Sequence, residues 1–390
     1  MRILHCCLAA FYIDNFSYQE NILPKIHKIN GLQVNILAST ETYLDNIKLG
    51  YIKPGTYINE NGIEVTRIPY INWLPAILRT KLRIYNGIRK VLENFKPEII
   101  FLHDCQFLSI IEIAKYAKKN NVRIYVDSHT DYINSGRNWL SKNILHRIIF
   151  RYCAKQIEQH VTWFYGTLPL RNDFLHTEYG VDRDKIKLLP FGADDTLFNR
   201  FDKQKIRNQI RRELNFSDNE IIIITGGKID ERKKIHILLS AFDKFTIKNP
   251  EAKFKLLIFG KPNSEMDNIF DYYINNSKII HLDWLNAQNI YKYFLSADLA
   301  FFPGTHSVLW EEAIGLGLPC IFKRWEGIEH VDLGGNCIFL DNAEEEIIIN
   351  ILDDISDGNI NLSTMKQVAE NLGVRTFSYS RIAKTAIEEI

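Results

Sequence analysis

No apolar run in this 390-residue chain approaches the ~20 residues that a membrane-spanning helix needs. Met1-Arg2 leads straight into a short strand-like run, so neither a signal peptide nor a membrane anchor is expected. Cysteine is sparse. The six residues Cys6, Cys7, Cys105, Cys153, Cys320 and Cys337 form no CxxC pair, and several lie in apolar runs, so buried reduced thiols are expected. The chain has no HExxH, no clustered Cys/His spacing and no late-strand Asp-x-Asp to chelate a nucleotide-bound Mg²⁺, so neither a metal nor a cofactor is expected. A GxGxxG after the first strand-like run is absent, which argues against a dehydrogenase, and so is the GxxxxGK[ST] of a P-loop nucleotidase. The net charge is only +1, and no nucleic-acid partner is expected.

What the chain does have is the composition of an ordinary globular protein, with 46% hydrophobic and 24% charged residues and enough length for two domains. Its charge is uneven. The first 195 residues hold 25 of the 48 basic residues but only 19 of the 47 acidic ones. Two helical patterns carry much of the excess: Leu78, Leu82, Tyr85 and Leu92 beside Arg79, Arg83 and Lys90, then Leu140, Ile144 and Ile148 beside Arg147, Arg151 and Lys155. Either these are solvated faces, or, with Trp73, Trp139 and Tyr152, they contact an anionic membrane or a polyanionic acceptor.

Short β-like runs alternate with helical stretches throughout. In the first half they fall at 3–7, 34–38, 65–68, 99–103, 123–127, 162–165 and 186–189, and in the second at 221–225, 254–259, 279–282, 299–302, 320–322 and 337–340. Near-continuous Ile, Val, Leu and Phe predicts parallel strands covered on both faces, hence two doubly wound α/β domains. The expected bounds are 1–195, 196–372 and a C-terminal helix at 373–390 that packs back on the first domain.

Two segments carry chemistry. In the first, a strand ending at Thr225 is followed by Gly226-Gly227, then Lys228 and Lys233 five apart before a helix, so that both ammonium groups can reach one diphosphate if the loop folds back. In the second, the run to Phe302 breaks at Pro303-Gly304, crosses a polar loop and enters a helix that stops at Gly317-Leu318-Pro319. Amides around His306 to Leu309 would face an anion, and Glu312 would accept hydrogen bonds from a ribose diol.

Taken together, Gly-Lys-x4-Lys and the later Pro-Gly-x7-Glu-Ala-x3-Gly-x-Pro resemble the paired signatures of family-4 glycosyltransferases of the GT-B fold. Lys228 stands at the family's arginine position, Lys233 at its lysine, Glu312 at its second glutamate, and Ala313, Gly317 and Pro319 at the closing residues. Phe191-Gly-Ala-Asp194 with Phe198 looks like the family's domain-joining stretch, and Phe377-Ser-Tyr-Ser-Arg381 like its C-terminal segment. The resemblance implies two Rossmann-like domains facing across a cleft. It implies a retaining transferase that takes a nucleotide-diphosphate sugar, UDP-sugar favoured, to a glycan or lipid-linked acceptor.

By the same resemblance Lys228, Lys233 and His129 are the catalytic candidates, His129 matching the family's Val-x-His-Asp position as a donor-sugar contact. Gly227, Gly260, Gly304, Thr305, His306, Ser307, Val308 and Glu312 would bind the donor, and His281, Leu282 and Trp284 the base. Three departures stand out. Gly304 replaces the family's first glutamate, which leaves the sugar contact to Thr305, His306 or Ser307; Ser307-Val308 replaces a Gly-Leu pair; and the loop Leu8 to Asp14 has no glycine. By analogy the role is bacterial surface-polysaccharide assembly, in the cytoplasm or on the inner face of its membrane. A sugar-nucleotide 2-epimerase of the same fold and a catalytically silent nucleotide-sugar binder are the alternatives.

Overall fold

The computed structural model describes residues 1–44, 48–136, 138–199 and 202–388. It divides into two compact units, Met1–Pro190 with Ile382–Ile390, and Phe191–Arg381.

In the first unit the strands are β1 (Arg2–Cys7), β2 (Gln33–Ser39), β3 (Glu41–Leu44), β4 (Lys48–Tyr51), β5 (Gly55–Ile58), β6 (Glu64–Ile68), β7 (Ile99–His103), β8 (Arg123–Ser128), β9 (Val161–Gly166) and β10 (Ile186–Leu188). Its main sheet runs β10-β9-β8-β7-β1-β2-β6-β5, parallel throughout except where β5 pairs antiparallel with β6. The five residues of β7 are all buried, as expected of a central strand with helices on both faces. Strand order reverses between β7 and β1, which places a switch point at the carboxyl ends Cys7 and His103.

The second unit holds β11 (Ile221–Gly226), β12 (Phe254–Phe259), β13 (Ile279–Leu282), β14 (Leu299–Phe302), β15 (Cys320–Lys323) and β16 (Cys337–Leu340). They form one parallel sheet in the order β13-β12-β11-β14-β15-β16, the dinucleotide-fold order with its switch point between β11 and β14. Ile222 and Ile224 pack on one face with Phe302 and Trp310, while Ile223 packs on the other with Leu238 and Phe242.

Every run expected to be a strand coincides with one, that at 186–189 running one residue past β10. The differences lie at the edges. The divide falls after Pro190, not after 195, because Phe191 to Asp195 is bound to the chain's far end: the Ala193 amide donates to the Phe377 carbonyl (2.8 Å), and Asp195 accepts from the Ser378 and Ser380 hydroxyls (2.7 and 2.8 Å). For the same reason 373–381 belongs to the second unit, and the first is joined only from Ile382, where Tyr165 donates to the Thr385 carbonyl (2.9 Å).

The pattern Leu78 to Leu92 spans two helices, Ala76–Leu82 and Ile88–Phe95, parted by Arg83 in the left-handed region (φ 52°). The first of these buries no residue. The second basic stripe does not keep α-helical spacing either, because Ser141–Phe150 winds as a π-helix before the α-helix Arg151–Ile157. Its charges are largely paired: Arg147 bonds buried Glu178 (2.7 Å), and Lys155 bonds Glu158 (2.7 Å). Apolar side chains face solvent alongside these charges, with Trp73, Ile77, Trp139, Leu140 and Ile148 all more than half exposed. Among the described residues no helix is long and apolar enough to cross a membrane. The six cysteines are unpaired.

Candidate active site

The switch point of the second sheet gathers both predicted motifs. After β11 the chain turns at Gly227 (φ 103°), whose amide bonds the Phe259 carbonyl (3.0 Å). Gly260 (φ 111°) lies so close that a side chain there would overlap the Gly227 carbonyl. Lys228 follows on the exposed side of this turn.

Lys233 ends a 3₁₀ turn, Glu231–Lys233, and its Nζ donates to the carbonyls of Thr305 (2.8 Å) and His306 (2.9 Å). An ammonium carries three protons, and among the described residues no third partner takes the last. Burial lowers its pKa to about 8. The two motifs are thus bolted together: the Thr305 amide also donates to the Arg232 carbonyl (3.0 Å). Gly304 is packed so tightly here that a Cβ would overlap the backbone of Arg232 and Lys233. A glutamate cannot stand at 304 with this loop conformation.

Beyond Gly304, whose carbonyl accepts from the Trp325 indole (3.1 Å), Thr305, His306, Ser307 and Val308 are half-buried and lead into the helix Leu309–Gly315. His306 Nε2 lies 2.9 Å from Glu311, and His330 Nε2 lies 3.1 Å from the same carboxylate. Glu311 is fully buried; burial alone would raise its pKa, but His306 and His330 outweigh it and hold the value at about 2. The sequence reading passed over Glu311 and His330. The spacing His306-x4-Glu311 was a signal for the first, whereas His330 is brought in only by the fold.

Glu312 is also buried, but in other company. Tyr291 donates to its Oε1 (3.4 Å) and accepts from the Asp194 amide (2.9 Å). Burial, with the nearby charges of Glu311 and Asp194, raises the Glu312 pKa to about 8 despite the tyrosine bond. At neutral pH it is a carboxylic acid facing Tyr291 rather than an open carboxylate. Of the base-pocket candidates, His281 Nε2 sits 2.8 Å from the Gly260 carbonyl, Leu282 is half-buried and Trp284 is exposed.

His129 belongs to the other unit, just after β8. Its Nε2 lies 3.4 Å from Asp127, whose Oδ2 also meets His103 Nδ1 (3.0 Å) and accepts from Gln19 (3.1 Å). Burial would lower the His129 pKa, but Asp127 and Glu20 outweigh it and raise it to about 9. Buried Asp104 binds Thr130 (2.8 Å), and Asp131 binds Arg171 (3.1 Å), which fixes the loop on both sides of His129. A depression of about 910 Å³ lined by Arg2, Arg89, Lys115 and Arg123 opens at the amino-terminal edge of the same sheet. That is the wrong end for a ligand of an α/β sheet, and none of the candidate residues lines it.

The two Rossmann-like parallel sheets give the chain the fold of the GT-B glycosyltransferases. It aligns with sucrose-phosphate synthase from Thermosynechococcus elongatus at a TM-score of 0.67 and 14% identity, over 99% of this chain and 97% of that one. Anabaena HepE in complex with UDP gives a TM-score of 0.67 and 14% identity, covering 99% and 98%. A putative UDP-N-acetylglucosamine 2-epimerase from Listeria monocytogenes shares the fold at 0.62 and 14%, covering 98% and 94%.

Residues 206–360 match the family model described as glycosyl transferases group 1. Mannosylfructose-phosphate synthase from Agrobacterium fabrum is 27% identical over 120 residues, 31% of this chain and 24% of that protein. An uncharacterized glycosyltransferase from Methanocaldococcus jannaschii is 23% identical over 251 residues, 60% and 57% respectively. The chain thus spans 24% and 57% of the lengths of these curated relatives.

Proposed function

We propose that the protein is a retaining glycosyltransferase that moves a sugar from a nucleotide-diphosphate sugar, of the UDP class, to a glycan or lipid-linked acceptor. The observation that carries this reading is Lys233 held by the Thr305 and His306 carbonyls at the switch point of the second sheet, beside the Gly226-Gly227 turn. The match of 206–360 to the glycosyl transferase model supports it, as does HepE, which shares the fold and was crystallised with UDP and glucose.

Lys233, through its remaining proton, and Lys228, from the exposed side of the turn, stabilise the charge that grows on the β-phosphate as the glycosidic bond breaks. The acceptor hydroxyl attacks on the face the nucleotide leaves. No protein nucleophile is assigned. With no carboxylate at 304, Thr305, His306 and Ser307 contact the transferred sugar, and Glu311 and His330 set the orientation of the His306 ring. Glu312 takes the ribose, and His281, Leu282 and Trp284 surround the base. In the first unit His129 donates a hydrogen bond to a substrate hydroxyl. The exposed Trp73, Ile77, Trp139 and Leu140 suit an acceptor presented at a membrane, as in bacterial surface-polysaccharide assembly on the cytoplasmic face.

Melting of the protein with UDP, GDP or ADP, alone and as their sugars, tests the donor class; a shift with UDP compounds is expected, and none with any nucleotide would overturn the reading. Incubation with a UDP-sugar and no acceptor then singles out a 2-epimerase, which alters the sugar under those conditions. An acceptor screen separates the other two, because a transferase turns over once its acceptor is supplied and a silent binder never does.

A further inference from the structure

We propose that the carboxyl end of the first sheet holds a divalent transition cation of the zinc class, ligated by Glu20, His103 and His129 with Asp127 as a fourth, oxygen donor. One ligand atom from each of Glu20, His103 and His129 lies within 4.8 Å of the other two. Three elements bring them there: the helix Gln19–Ile29, the last residue of β7 and the loop after β8. Asp127 Oδ2 stands 3.0 Å from His103 Nδ1 and 3.4 Å from His129 Nε2. Asp127 and Gln19 are completely shielded from solvent, yet Asp127 Oδ1 and Gln19 Oε1 have no hydrogen-bond partner among the described residues. An orphaned oxygen on a buried carboxylate such as Asp127 calls for a positive group.

The hydrogen bonds leading away from the site point the same way. His103 Nε2 meets His5 Nδ1 (3.1 Å), His5 Nε2 meets His27 Nδ1 (3.0 Å), and His27 Nε2 meets the Ala383 carbonyl (2.7 Å). With the Asp127–His103 contact this makes four links between two ends that only accept, so four protons are required. Three neutral imidazoles bring three.

Either an extra proton or a cation on His103 Nδ1 completes the chain. The cation removes the first link and leaves three N–H groups for three links, all running from His103 toward Ala383. Such an arrangement fixes a ligand's tautomer through its second nitrogen. A proton would satisfy Asp127 alone, whereas a cation also uses Glu20 and His129, which converge on the same point. Two imidazoles with carboxylates suit zinc-class ions and not Mg²⁺. His129, whose side chain is 24% exposed, gives the ion a way in.

This inference shares His129 with the proposed substrate contact but stands apart from the diphosphate site of the second unit, and it is read by metal binding, not by nucleotide. The experiment is titration of the full chain, stripped with chelator, with Zn²⁺ against a chromophoric competitor and with Co²⁺ by absorption. The expected result is one equivalent, imidazole- and carboxylate-type Co²⁺ bands with no thiolate charge transfer, and at least tenfold weaker binding in both Glu20→Gln and His129→Ala. Circular dichroism and melting establish that each variant folds; should Glu20→Gln not fold, the half-buried His129 still decides through His129→Ala. No stoichiometric binding, equal affinity in His129→Ala, or nitrogen chemical shifts showing a cationic His103 in metal-free and metal-treated protein alike would overturn the proposal.

Discussion

Replacing Glu312 by Gln should make the protein more resistant to alkali, although Glu312 lies in the candidate site. Its carboxyl goes from an ordinary value of 4.5 to about 8 on folding, so the folded state resists ionising it. A group with a raised pKa gives its full stabilisation below 4.5 and loses it as the pH climbs through 8. At about 1.4 kcal/mol per unit, the wild type surrenders roughly 4 kcal/mol between pH 5 and 8.5 on account of this residue. Gln cannot ionise and keeps the Tyr291 hydrogen bond within reach. The measurement is denaturant unfolding of both proteins across that range, followed by tryptophan fluorescence. The stability difference should swing toward Glu312→Gln by about 4 kcal/mol, flattening above pH 8. A difference that stays flat within about 1 kcal/mol would mean an ionised carboxylate in the folded protein and would refute the burial argument.

Other substitutions probe the loop and the surface. Gly304→Ala should lower the melting temperature, at a cost of about 1–3 kcal/mol, because the added methyl meets the Arg232–Lys233 backbone; Gly304→Glu should do worse and gain no activity, and an unchanged melt would remove the steric account of that position. Glu311→Gln should cost about 3 kcal/mol at neutral pH by loosening His306 and His330, the deficit shrinking as the pH falls below 4.5 toward 2, and a pH-independent deficit would contradict the ion-pair assignment. Trp139→Ser with Leu140→Ser should leave stability within about 0.5 kcal/mol yet reduce sedimentation with anionic lipid vesicles; undiminished sedimentation would remove the membrane-facing role.

Continuous apolar runs such as 221–225 and 99–103 are legible because a parallel strand buried on both faces leaves no room for alternation. β3, β4 and β5 were not read, since each is four residues long, at least half exposed, and mixes polar and apolar side chains like a loop. The break at Arg83 escaped for a different reason: the 3.6-residue pattern continues through Leu92 although left-handed residues at Arg83 and Gly87 part the helices. At the site, Lys233, Gly304 and the 305–308 loop could be found from local spacing. The role of Glu311 could not, because His330 reaches it from 19 residues away. The His5–His27–His103 chain was equally hidden, its members coming from β1, the first helix and β7 with no motif in common.

The central claim is a diphosphate site built on Lys233, and calorimetric titration of UDP into wild type, Lys233→Ala and Lys234→Ala tests it most directly. Lys234 is the neighbour with the same charge, but it is left-handed (φ 54°) and pairs with exposed Glu231 (3.5 Å) instead of the loop. The account predicts at least about tenfold weaker binding, 1.4 kcal/mol or more, for Lys233→Ala and a change under about twofold for Lys234→Ala. Equal effects of the two, or UDP binding that ignores both, would contradict it.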